Sequence, residues 1–291
     1  MKLSRSHSGE ALNHPFSLKV YLLIVFSLSW PFQITYLFLG EAFRPILLVS
    51  MIMAGVGTFI AGRYVFKDGF ARAGWRWGKP RHYVLVFGLA LLLWLFPAML
   101  EFALGIRESP QDLELPSILA TFLLSFLITL IPALGEEFSW RGYLLPRLLN
   151  RYRPRRALLL HGFITWFWHI PFVVVLGLEL GGDPVASVPL VIAVSSIPTI
   201  MHAVVFAYIW SSTQSLAVAT VYHSAFDEVR DTLEGSIGFG PLAENWQMVV
   251  LTILGLIILW KAKWGKHLVT QTPDDRASSL YPHSATTPHK R

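Results

Sequence analysis

The chain has 291 residues, 54% of them hydrophobic and only 14% charged, with a mean hydropathy of +0.51, a composition that excludes an ordinary soluble domain. It contains no cysteine, which removes disulfide frameworks, thiolate nucleophiles and cysteine-ligated zinc from consideration. The formal net charge of +6 comes from basic residues that lie beside apolar blocks, where membrane topology and anionic headgroups account for them and nucleic acid does not.

A bilayer core about 30 Å thick requires about 20 helical residues. Eight blocks meet or approach that length, at 18–40, 45–66, 82–104, 117–143, 157–178, 186–210, 214–227 and 246–264, the seventh being the shortest. The expected fold is therefore an all-α polytopic bundle of about eight transmembrane helices. With the amino terminus in the cytoplasm, all but four of the 24 basic residues fall on the inner side; the exceptions are Arg44, Arg107, Arg141 and Arg230. Both termini are expected in the cytoplasm. Residues 1–17 form an amino-terminal segment, 18–264 the membrane domain and 265–291, rich in Ser, Thr, Pro and His, a flexible cytoplasmic tail. The first block is too long for a signal-peptide core and lacks a clear small-residue cleavage site, so it is expected to be retained.

The fourth block ends on charges. Glu136 and Glu137 are consecutive and Arg141 follows, an expensive placement at membrane depth that marks function. A Glu four residues before an Arg is the favourable helical order, so Glu137 pairs with Arg141 and Glu136, rotated about 100° away, stays free. His169 stands in the aromatic stretch Trp166-Phe167-Trp168 before Pro171, a proline that ends or bends its helix. His223 and Asp227 share one face of the seventh block. From the inner ends of the blocks, Glu136, His223 and His169 lie about 10, 13 and 18 Å deep at 1.5 Å per residue, so one carboxylate and two imidazoles can converge. Such a set activates water and stabilises an oxyanion. His202 reads as a core histidine and His161 as interfacial. Gly181-Gly182-Asp183 lies in an outer loop without the spacing of an aspartyl intramembrane protease, which excludes that class.

Glu136-Glu137-Phe138-Ser139-Trp140-Arg141, followed by His169 and by His223-Ser224-Ala225-Phe226-Asp227, resembles the three motifs of the CPBP, or ABI, intramembrane proteases. These include the type II CAAX prenyl endopeptidases, which remove the last three residues of prenylated proteins, and bacterial members linked to bacteriocin processing and self-immunity. The resemblance covers about 117–227. It implies that Glu136 activates water with help from His169, that His223 and Asp227 bind the scissile carbonyl or its oxyanion, and that Glu137 and Arg141 support the site. It also implies a membrane protein or lipidated peptide as substrate, and a bacterial or archaeal cell membrane as the location.

Two positions depart from the family pattern. Thr165 stands where an aromatic residue is common, and Asp227 where many members have Asn. An ionised Asp cannot donate to an oxyanion. Glu136, His169 and His223 would also be a zinc set, although no His-Glu-x-x-His helix is present and the metal-free glutamate mechanism is favoured by analogy. The competing expectations are a non-proteolytic scaffold or bacteriocin immunity factor of the same fold and, third, a proton-coupled transporter.

Overall fold

The computed structural model describes residues 16–108, 110 and 113–262. The expected flexible tail at 265–291 and nearly all of the amino-terminal segment lie outside these residues, as do the last two residues of the expected membrane domain. Among the described residues all regular structure is helical.

The helices are α1 (Leu18–Leu39), α2 (Ile46–Ile60), α3 (Pro80–Ala103), α4 (Leu115–Glu137), α5 (Leu145–Arg151), α6 (Pro154–Trp168), α7 (Ile170–Glu179), α8 (Pro184–Thr213), α9 (Leu216–Ile237) and α10 (Pro241–Lys261). π-Helical turns extend α2 through Ala61–Val65 and join α4 to α5 through Phe138–Leu144. Proline at the first or second position opens seven of the ten helices, where its missing N–H costs nothing. Asp183 and Ser215 cap α8 and α9 by accepting N–H bonds from Val185 and Val218.

Six helical stretches are long and apolar enough to cross a membrane, and the pair α6 and α7, bent by 55°, is a seventh as a broken span. The remaining expected block, the seventh, is α9. It has 22 residues, the length of a span, but its polar residues keep its hydropathy low. The polytopic helical bundle expected from the sequence is the observed architecture.

Boundaries moved in two places. The fourth block runs on without a break to Arg151, because the chain widens into a π-helix instead of stopping after Tyr143. The seventh does not end at Asp227: the helix continues to Ile237, carrying Glu228, Arg230, Asp231 and Glu234, which the sequence reading put in an outer loop. These charges find partners inside the fold. Thr129 on α4 donates to Glu228, and Arg230 bonds Asp231.

Helices pack closely where side chains are smallest. A Cβ on Gly135 would lie 2.9 Å from the Met51 carbonyl oxygen and 3.0 Å from the Ile52 Cα, both backbone atoms of α2. That contact fixes α4 against α2 one residue before Glu136.

Candidate active site

Glu136 and Glu137 end α4 inside the bundle, both buried. Glu137 Oε1 accepts from Arg141 Nη1 at 2.9 Å and from His223 Nδ1 at 2.8 Å. Arg141 is 2% exposed and its guanidinium lies 4.1 Å over the Phe206 ring, so the ion pair is desolvated and braced by a cation–π contact. The Glu137–Arg141 pairing expected from the spacing is present. Its link to His223 was not anticipated.

Glu136 is held more loosely. Trp140 Nε1 donates to its Oε1 at 3.2 Å. His169 Nε2 lies 4.0 Å from Oε1 and His223 Nε2 lies 3.9 Å from Oε2, both beyond direct hydrogen bonding. The carboxylate and the two imidazoles from three helical segments thus face a common space.

Each imidazole is oriented through its other nitrogen. His169 sits at the break between α6 and α7, and its Nδ1 donates to the Thr165 carbonyl at 2.8 Å; an oxygen of that kind only accepts, so in the neutral ring Nε2 carries the lone pair. The orienting group is backbone, which explains why Thr165 can replace an aromatic residue: its hydroxyl is spent on the His161 carbonyl at 3.0 Å. The break itself is splinted by α1. Trp30 Nε1 donates to the Trp168 carbonyl at 3.0 Å, and Trp168 Nε1 donates to Ser29 Oγ at 2.7 Å. Tyr21, also on α1, donates to the Ser139 carbonyl at 3.0 Å within the π-helical turn.

His223 is flanked by carboxylates at both ring nitrogens, because Asp227 Oδ2 lies 3.3 Å from Nε2. Asp227 has a cationic neighbour in turn: Arg230 Nη1 is 3.5 Å from its Oδ1, and Arg230 Nε donates to Asp231 at 2.6 Å. A row of alternating charges therefore runs along α9 away from the site.

His202 lies next to this centre. Its Nε2 is 3.0 Å from the Tyr222 hydroxyl, and its ring packs on Phe226 and Phe206, the latter also touching His223. His161 is a correction: it is wholly buried, not interfacial, and its Nε2 donates to the Trp140 carbonyl at 3.2 Å. It holds the residue whose indole holds Glu136. Trp140 was legible through the same four-residue spacing that pairs Glu137 with Arg141, whereas no spacing rule reaches Phe206 or His161.

Among the described residues, no group of three or more His, Asp or Glu side chains stands close enough to hold a metal ion. Donors of a tetrahedral zinc lie about 3.4 Å apart at bond lengths near 2.1 Å, closer than the separations of Glu136 from His169 and His223. The side chains as placed do not fit zinc.

Residues 118–229 match the family described as type II CAAX prenyl endopeptidase, Rce1-like. This region is Rce1-like. The match spans every motif on which the resemblance rested, from Glu136 to Asp227, and it covers α4 to most of α9. No curated protein matches the chain. The Rce1-like region and the apolar helices around it support a multi-pass integral membrane protein.

Proposed function

We propose that the protein is an intramembrane endopeptidase in which Glu136, assisted by His169, activates water for attack on a peptide bond. The observation that carries this reading is the spacing of Glu136 from the two Nε2 atoms, 4.0 and 3.9 Å. A water about 2.8 Å from both members of such a pair bridges them with an angle near 90°. Glu137 is unsuited to the same task because its Oε1 already serves Arg141 and His223.

In this mechanism the water oxygen bonds to the scissile carbonyl carbon while its proton passes to the Glu136 carboxylate. The oxyanion so formed accepts an N–H bond from Nε2 of His223, whose ring carries a proton on both nitrogens between the Glu137 and Asp227 carboxylates. Asp227, paired with Arg230, cannot donate and instead orients His223. Collapse breaks the C–N bond, and Glu136 returns the proton to the departing amine. The substrate is a membrane protein or a lipidated peptide entering from the bilayer or the cytoplasm, with the basic ends of the helices on the cytoplasmic side.

Cleavage of a reporter-peptide library by purified protein tests the assignment. Wild type should cleave, and Glu136→Gln and His223→Ala should not; equal cleavage by all three ends it. Metal content measured on the same preparation, with chelator treatment, should leave activity unchanged, and stoichiometric zinc that tracks activity would replace the metal-free mechanism. A cellular phenotype that survives Glu136→Ala at unchanged protein level would favour the scaffold or immunity role.

A further inference from the structure

The segment between α2 and α3, together with the first two residues of α3, carries Trp75-Arg76-Trp77-Gly78-Lys79-Pro80-Arg81, three basic residues and two tryptophans without an acid. Its backbone is tied down at several points. Leu216 N–H donates to the Gly74 carbonyl at 2.7 Å, Trp210 Nε1 to the Ala73 carbonyl at 3.1 Å, Ser215 Oγ to the Arg76 carbonyl, and the Tyr83 hydroxyl to that of Trp77. Gly74 and Gly78 have φ of +82° and +75°, and a Cβ on Gly78 would meet Val218 at 2.6 Å, so the strap is shaped to lie against the start of α9.

Its side chains nonetheless face outward. Trp77 is 83% exposed and Trp75 58%, while Arg76, Lys79 and Arg81 are exposed and have no acidic partner among the described residues. Beside the strap, between α3 and α9, lies a groove of about 540 Å³ lined by Trp77, Gly78, Pro80, Tyr83, Ala217 and Val221. The lining is almost entirely apolar. Val84 and Leu85, the next residues of α3, are more than two-thirds exposed and mark the lipid-facing rim. Lys79 lies between two lining residues in sequence, Gly78 and Pro80, and Arg81 directly follows the second of them.

We propose that this groove is a binding site for an anionic phospholipid, with an acyl chain against Trp77, Tyr83 and Val221 and the phosphate at Lys79 and Arg81. Charge complementarity selects the headgroup, because unpaired cations adjoining the lining residues of an apolar groove match a negative phosphate above a hydrocarbon chain. An interfacial tryptophan beside them is where such a ring is favoured. The site is independent of the proteolytic reading. Because the strap touches Phe138 of the π-helical turn through Trp75 and bonds the first residue of α9, a bound lipid would also steady the ends of two elements that carry Glu136 and His223.

Native mass spectrometry of the full chain, titrated with phosphatidylglycerol or phosphatidylcholine of identical acyl chains, tests the proposal. Wild type should retain phosphatidylglycerol preferentially. Each basic side chain at an anionic surface contributes roughly a fivefold factor, so Lys79→Gln/Arg81→Gln should weaken phosphatidylglycerol binding by about 25-fold. These substitutions are on the surface and should leave folding intact. Val221→Trp, which fills the groove without touching charge, should weaken both lipids. Neutralising the distant Arg151 and Arg153 should change binding less than about twofold, as those charges lie outside the site. Equal retention of the two lipids by wild type, an unaffected Val221→Trp variant, or an equal loss from the distant pair would each overturn the site.

Discussion

Two ion pairs near the centre of the bundle use the same chemistry with different consequences. Glu137 and Arg141 are 0% and 2% exposed at their side chains, and the arginine is sealed by Phe206. Asp227 and Arg230, one element away, are 25% and 31% exposed and belong to a row of charges that leads to Asp231 and Arg44. In the first pair Arg141 alone would be an uncompensated charge in an apolar interior, and Glu137 alone would keep only His223. In the second, solvent or a neighbour can compensate. The buried pair is thus a fixed frame for Glu136 and His223, and the exposed one an adjustable rest for Asp227.

Four substitutions separate frame from chemistry. Glu136→Gln should lower cleavage by about 10²–10⁴-fold, the range for a lost general base, while the thermal unfolding temperature in detergent stays close to wild type. Arg141→Leu should do the reverse first: it leaves Glu137 with only His223 and should cost about 3–5 kcal/mol of stability, read from chemical denaturation in detergent, with activity lost as a result. Gly135→Val forces a side chain against the backbone of α2 and should destabilise by about 1–3 kcal/mol, with cleavage falling more than stability accounts for because Glu136 is displaced. Arg230→Gln is the mildest, at under about 1 kcal/mol in the same denaturation assay, because its ion pairs are partly solvated. A large stability loss there would mean that the row along α9 is as rigid as the frame.

The bundle was legible in the sequence because long apolar blocks have one solution in a bilayer, and the Glu137–Arg141 pair because helical spacing determines which side chains meet. The outer half of α9 was hidden. Glu228, Arg230 and Asp231 look like a loop to a hydropathy reading, since the partners Thr129 and Arg44 are far away in sequence. The π-helical turn after Glu137 left no composition signal, so the fourth helix seemed to stop early. His161 looked interfacial from its position near a basic cluster. Its burial depends on how Trp140 packs, which no local pattern encodes. His169 and Pro171 did announce the bend, but the identity of the acceptor, the Thr165 backbone, became visible only with the chain folded.

The splint at that bend has a consequence for how the protein can be divided. A helix interrupted within a bilayer must hand its released polar groups to other protein atoms, and here Trp30 takes the Trp168 carbonyl. Trp30, Ser29 and Tyr21 all lie before residue 118, outside the Rce1-like match. The matched segment is accordingly not a transplantable cassette. A chimera that grafts 118–229 onto another scaffold must import the first helix as well, or supply an equivalent indole at the same depth.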